Sequence, residues 1–180
     1  MKNKAMLAAL SAALCLPLTS AGQTAKPAAA PERAQVISAA RAVMRQGRYC
    51  VLITIGDEGQ PQARVMDPLL PEENLTIWLA TNPATRKVAQ IRKDPRVTLC
   101  YFDPASKDYV TVLGRAELVR DPAEKAKRWK EEWASFYKDK NRGDDYLLIR
   151  VKPSRVEIVS FSHGLAADPM SWRPVVLDLR

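Results

Sequence analysis

The chain has 180 residues, with 28 lysines and arginines against 20 acidic residues and one histidine, for a formal net charge of +8. That length holds one ordinary domain with its own core. A lone histidine and three cysteines without ligand spacing argue against a metal site, and scattered basic residues without interleaved aromatics argue against nucleic acid.

Lys2 and Lys4 precede the apolar run AMLAALSAALCLPL, and Thr19-Ser20-Ala21 follows. A basic start, a short apolar centre and small residues at the end are the layout of a secretory signal peptide, residues 1–21. The run is too short to span a bilayer. The expected product is therefore secreted or periplasmic, with no stable membrane insertion after cleavage near Ala21; an uncleaved N-terminal anchor is the alternative. Cys15 follows Leu14, a poor fit to a lipoprotein cleavage site. Residues 22–31, GQTAKPAAAP, read as a flexible Ala- and Pro-rich linker, and residues 32–180 as the folded domain. Leaving out Lys2 and Lys4 gives +6, which a solvated surface with one local anion site accounts for.

From Pro31 to Gln46 the spacing of Val36, Ile37, Ala40, Val43 and Met44 is helical, with Gly47 as the expected C-cap. YCVLITI is strand-like, Asp57-Glu58-Gly59 marks a turn, and QARVMD resumes the alternation, so the three form a hairpin. LTIWLAT is a third strand. It leads into TNPATRKVAQI, where Asn82 suits an N-cap, Pro83 suits the first helical position, and Val88 and Ile91 begin an apolar stripe. Asp94-Pro95 ends that helix and RVTLCYF is a fourth strand. DYVTVLGRAELV is a fifth, long enough to bend, with Gly114 as a bulge or point of close approach.

Asp121-Pro122-Ala123-Glu124 starts another helix, and its Ala126, Trp129, Trp133 and Tyr137 recur at helical spacing, which reads as core packing against a sheet. YLLIRV and RVEIVSF flank Pro153, so that strand is expected to break or bend there. SWRPVVLDLR offers a last short extended piece. Cys50 and Cys100 fall inside apolar strands and read as buried free thiols, with mutual pairing as the alternative. Six or seven strands that neighbour in sequence, with few helices, close most naturally as an antiparallel barrel in a mainly β (α+β) fold.

One local feature runs against helix electrostatics. Arg86 and Lys87 sit at a helix N-terminus, where cations are disfavoured by about 0.3–1 kcal/mol each. Free N–H groups, the Thr85 hydroxyl and two cations make a ready phosphate site, because an anion reverses the local field. Arg64 shares one strand face with Gln62 and Met66 and can converge on it. The plainer reading has Arg86 and Lys87 pointing into solvent, and spacing alone leaves both open. His163 follows VEIVSF in an expected loop and reads there as an ordinary loop residue.

The order YCVLITIGDEGQPQARVM, LTIWLATNPATRKVAQIRKDPRVTLCYFDP, YVTVLGRAELVRDP resembles the flavin mononucleotide (FMN)-binding split-barrel superfamily, and within it the general-stress-protein branch of pyridoxamine 5'-phosphate oxidase-like proteins. The resemblance covers about residues 48–162. Its most specific part is the Arg-x-Met strand followed by a strand, Thr, the Thr-Arg-Lys step and Asp-Pro-x-Val. It implies a split barrel, a homodimer with the flavin in a cleft between subunits, and flavin-dependent oxidoreductase activity on a small molecule. It implies the FMN phosphate at Arg64, Thr85, Arg86 and Lys87, with Val65, Met66 and Thr81 along the rest of the cofactor. Trp172 and Arg173 of the tail are candidates to close the cleft from the partner, or else to pack on their own barrel.

The likeness also has gaps. The vitamin-converting oxidases carry a lysine where this chain reads Met66-Asp67-Pro68-Leu69. Their Arg-x-His pair is absent from SHGLAADPMSWR, and their Tyr/Arg/Ser substrate helix has no match in RWKEEWASFYK. Val159 stands where a Trp is common. These gaps speak against vitamin B6 oxidation, and no side chain stands out as a general acid or base. Proteins of the split-barrel superfamily include haem binders, so the resemblance also implies an alternative to a flavoprotein: a binding protein for haem or another planar ligand, with His163 as axial ligand and no redox turnover.

Overall fold

The computed structural model describes residues 31–179; the expected signal peptide and nearly all of the linker lie outside them. Helix α1 (Arg33–Gly47) is followed by β1 (Cys50–Ile55), β2 (Pro61–Met66), β3 (Ile77–Thr81), α2 (Arg86–Lys93), β4 (Arg96–Phe102), β5 (Tyr109–Val119), α3 (Pro122–Lys127), β6 (Leu147–Val159) and β7 (Val175–Asp178). The sheet has seven strands in the order β2-β1-β4-β5-β6-β3, with β7 added on β6, and every pairing is antiparallel. Just beyond β2, Pro68 bridges Leu79 of β3, and the Leu69 N–H donates to the Trp78 carbonyl at 2.9 Å. That contact joins the two ends of the strand order, and the sheet closes as a split barrel.

Alternation decides what fills it. Leu52, Leu99, Val112 and Val156 point inward from four strands, and α1 covers the opening with Val36, Ala40, Val43 and Met44, all in one buried cluster. β3 is buried on both faces: Ile77 and Leu79 join the main core, while Trp78 turns to a second cluster with Trp133, Tyr137, Tyr146 and Leu148. Cys50 and Cys100 are free thiols; burial pushes the Cys50 thiol up to about 12 despite a contact from Tyr101. That thiol is a packing group, inert at neutral pH.

Three local expectations need correcting. Gly47 is the last residue of α1, and the positive φ falls on Arg48 at 54°. Gly47 is needed for a different reason: a Cβ there would lie 3.0 Å from the Phe102 carbonyl oxygen. Asn82 does not cap α2. Its Oδ1 takes the Ala84 N–H at 2.8 Å and its carbonyl takes the Thr85 N–H at 3.1 Å, forming a turn that delays the helix to Arg86.

The third correction concerns α3, which does start at Asp121, whose carboxylate accepts from the Glu124 N–H at 2.8 Å, but stops at Lys127. Trp129, Trp133 and Tyr137 then arrive from a short 3-10 turn and loop to pack edge-on around each other and Tyr146. Core packing was the right reading of that stripe, and helical geometry the wrong one; aromatic contacts outweigh local propensity here.

Of the two outcomes expected at Pro153, a break or a bend, β6 takes the bend. The strand runs through the proline, and the register slips at Leu113/Gly114, leaving Ser154 as the extra residue. A Cβ on Gly114 would sit 2.4 Å from the Lys152 carbonyl oxygen. We expect Gly114→Ala to cost about 1–3 kcal/mol, the range for forced overpacking, read as a lowered midpoint in urea unfolding.

Candidate functional site

Arg64, Thr81, Thr85, Arg86 and Lys87 come from β2, β3 and the start of α2, and barrel closure brings them together. On β2 the half-buried side chains Gln62, Arg64 and Met66 alternate with the exposed Ala63 and Val65. Met66 packs against the main core, whereas the Val65 side chain is 69% exposed and faces away from the cluster. Val65 therefore meets a ligand on the Arg64 side through its backbone only.

The helix end is built for an acceptor that the chain does not supply. Thr85 occupies the N-cap position of α2, yet no side chain caps the helix. The Thr85 hydroxyl instead donates to the Asn82 carbonyl at 2.8 Å and lies 3.2 Å from the Thr81 hydroxyl. Lys87 Nζ donates to Thr81 Oγ1 at 3.0 Å. With the Thr85 proton spent on Asn82, the Thr81 hydroxyl donates to Thr85 and accepts from Lys87. Arg86 is exposed and makes no hydrogen bond or ion pair among the described residues.

Arg64 is held by neutral groups alone. Its Nη1 donates to the Leu52 carbonyl at 3.2 Å and to Thr54 Oγ1 at 2.6 Å, and its Nη2 donates to Gln90 Oε1 at 3.1 Å. Gln90 in turn accepts from the Thr54 hydroxyl at 2.6 Å and donates to Gln62 Oε1 at 2.8 Å. No carboxylate pairs with Arg64, Arg86 or Lys87 among the described residues. Burial, then the charge of Arg86, pulls the Arg64 guanidinium below its usual range; burial, then the charge of Arg64, does the same to the Lys87 amine.

Thr54, Gln62 and Gln90 were not singled out as site residues. A signal did exist for Thr54: it is a lone polar residue at an inward position of an apolar strand and is fully buried, so it needs a partner. Trp172 and Arg173 lie on the loop between β6 and β7, and neither bonds to the cluster within the chain. Trp172 is 71% exposed.

His163 belongs to a separate group. Buried Asp108 accepts from the Ser160 hydroxyl at 2.7 Å, from the Phe161 N–H at 2.8 Å and from the Ser162 hydroxyl. Burial alone would raise this carboxyl, but these donors outweigh it and hold it below the usual range. Both hydroxyl protons are thus committed, and His163 Nδ1, 2.8 Å from each hydroxyl oxygen, must be the donor. In the neutral ring this puts the lone pair on Nε2, while the same Nδ1 donor also fits an imidazolium 3.9 Å from the Asp108 carboxylate.

A fold and a cluster of this kind can be compared with known proteins. The pyridoxamine 5'-phosphate oxidase family matches residues 37–160. The chain belongs to that family. Within it, a pyridoxine/pyridoxamine 5'-phosphate oxidase of Myxococcus xanthus is 36% identical over 72 residues, 39% of this chain and 34% of the relative. The match thus spans about a third of the curated relative's length. Among solved structures, a protein related to general stress protein 26 from Clostridium acetobutylicum superposes with a TM-score of 0.69 at 17% identity, over 82% of this chain and 97% of that one. General stress protein 26 of Bacillus anthracis gives 0.61 at 21%, over 69% and 93%. A heme binding protein from Mycobacterium smegmatis gives 0.58 at 20%, over 83% and 60%. At these identities the structures share the split-barrel fold.

The lowered Lys87 amine gives the cluster a pH signature. Its surroundings disfavour the proton, whereas an anion among the three cations favours it, so binding and protonation reinforce one another. Inorganic phosphate should raise the Lys87 pKa in a side-chain NMR titration. Anion affinity should fall as pH rises through the lowered value, and Lys87→Arg, which stays charged, should flatten that alkaline limb.

Proposed function

We propose that this chain is an exported FMN-binding protein that acts on a small molecule as a flavin-dependent oxidoreductase, working as a homodimer. The observation that carries the reading is the trio Arg64, Arg86 and Lys87, gathered without a carboxylate around an uncapped helix N-terminus. A phosphomonoester fits that arrangement in charge and in hydrogen-bond donors. The gain outweighs the cost: two cations at the wrong helix end lose about 0.3–1 kcal/mol each, while a charge-assisted phosphate contact returns about 1.5–3 kcal/mol.

The same two strands continue to a cavity of about 460 Å³ lined by Met66, Ala80, Tyr49, Trp133, Phe136 and others. Its aromatic walls suit a flat ring system whose phosphate end lies on α2. FMN would supply hydride or single-electron chemistry at its ring. The residues of this chain would anchor, orient and shield it: Arg64, Thr85, Arg86 and Lys87 at the phosphate, Thr81 along the ribityl chain, and the backbone of Val65 and Met66 beside the ring. No side chain is assigned as a general acid or base.

A second copy is expected on the outer sheet face. Val65, Val51 and Cys100 share one cross-strand row there, with Ile53 and Phe102 on adjacent rows. These residues are only partly covered or exposed, and Phe102 is 53% exposed. An isologous pair would bury them. Trp172 and Arg173 then become candidates to close the partner's cleft. Oxidation of a vitamin B6 phosphate is not proposed, since the lysine, the Arg-x-His pair and the substrate helix of the vitamin-converting oxidases have no match in this chain.

A second reading has one observation in its favour: Ser160 and Ser162 hold His163 by its Nδ1 edge, so that the neutral ring presents its Nε2 lone pair as an axial ligand to haem would. The absorption spectrum separates the two, since bound haem gives a Soret band that His163→Ala should abolish.

For the main reading, FMN titrated into purified protein should bind well below millimolar. Arg86→Glu should weaken FMN about tenfold or more and leave riboflavin nearly unchanged. A chain ending at Met170 should stay folded and dimeric but bind flavin less tightly; unchanged binding would remove the tail from the site. Cell fractionation tests export.

A further inference from the structure

The arginine on β2 is held in an unusual way. A guanidinium has five N–H groups in a fixed plane. Arg64 spends both Nη1 protons, on Leu52 O and Thr54 Oγ1, and one Nη2 proton on Gln90 Oε1. Nε–H and the second Nη2–H remain, and these two lie on one edge of the plane, the fork that matches two oxygens of an oxyanion.

The acceptors are oriented in their turn. Thr54 has one proton, and it goes to Gln90 Oε1 at 2.6 Å, so the threonine oxygen is free to accept from Arg64. Gln90 Nε2 donates to Gln62 Oε1 at 2.8 Å, which fixes the amide so that Oε1 faces both donors. Gln90 stands one helical turn beyond Arg86 on α2. The same side chain therefore ties the strand bearing Arg64 to the helix bearing the other two cations.

All of these acceptors are neutral. If Arg64 served only to brace β2 against α2, a carboxylate at position 90 would brace it better, by adding an ion pair in a half-buried setting. A neutral amide holds the guanidinium in place and leaves its charge uncancelled. We infer that Gln90, together with Thr54, is a positioning residue that presents the Nε/Nη2 edge of Arg64, still fully charged, to a phosphate monoester. The inference rests on the phosphate reading of the cluster and adds which edge binds and what aims it.

The test measures FMN and riboflavin affinities for the purified protein and for Gln90→Glu, Thr54→Val and Thr54→Ser, and reads the ratio of the two affinities. Gln90→Glu keeps the shape and the contact to Arg64 but cancels its charge. It should lower the preference for FMN over riboflavin at least tenfold, with riboflavin affinity and thermal midpoint held or raised. Thr54→Val should lower the preference too, and Thr54→Ser should restore it; this pair carries the test if Gln90→Glu does not fold. A merely structural role would weaken both flavins together. Folded Gln90→Glu with the original preference overturns the positioning role while leaving the phosphate site standing. An unmodified protein that does not distinguish FMN from riboflavin overturns both.

Discussion

Closure of the sheet across the Pro68–Leu79 bridge is the constraint from which the site follows. β2 and β3 stand at opposite ends of the strand order, and this contact brings them side by side. Once they meet, Arg64 on one strand and Thr81 on the other lie within reach of a single short helix. β3 can serve as the seam because it is buried on both faces, with Leu79 in the barrel and Trp78 in the aromatic cluster. A strand with a wet outer face would leave the seam open to solvent, and backbone groups at a wet seam pair less firmly.

The helix that completes the site is short and electrostatically costly. α2 buries only Val88 and Ile91, and it carries Arg86 and Lys87 at the end where its own dipole repels them. Selection for stability alone would put an acidic residue there, as α3 does with Asp121 and Glu124. Two helices in one chain thus follow opposite rules at their N-termini. The one that breaks the rule adjoins Arg64, which is held only by uncharged groups. Local violations of this kind mark places where function outweighs stability.

Much of this was legible in the sequence because it rests on short-range rules. Strand alternation, the Asp121 cap and the oddity of Arg-Lys at a helix start need only neighbours within a few residues. What failed, or stayed open, needed partners far along the chain. The Asn82 side chain closed a turn, so the helix began three residues past Pro83. Trp129, Trp133 and Tyr137 left helical geometry because Tyr146, across a loop, offered edge-to-face contacts. At Pro153 the strand bent at a bulge rather than breaking, with Gly114 across from it letting the backbones approach. Thr54 and Gln90 are separated by 36 residues, and no local pattern joins them.

The aromatic cluster also bears on what the barrel can act upon. The segment from Arg128 to Tyr137 is committed to packing: Arg128 stacks 3.6 Å from the Trp78 ring and pairs with Glu72 and Glu124, and Trp133 donates to Asp67 at 2.8 Å. Lys130 closes on the same Asp67 carboxylate at 3.1 Å. Arg128, Lys130 and Asp67 are therefore matched within the protein, in contrast to the cluster at α2. Arg48 and Glu132, which line the cavity itself, have no ion pair among the described residues. A second anion would find no free cation in Arg128 or Lys130, but it would find Arg48 beside the exposed faces of Tyr49 and Phe136 that line the same cavity. Under the phosphate reading, one end of the cleft meets an anion with three cations, and the other sets exposed aromatic faces beside Arg48. Which cations are neutralised internally, and which are not, therefore decides where along the cleft an anion can be met.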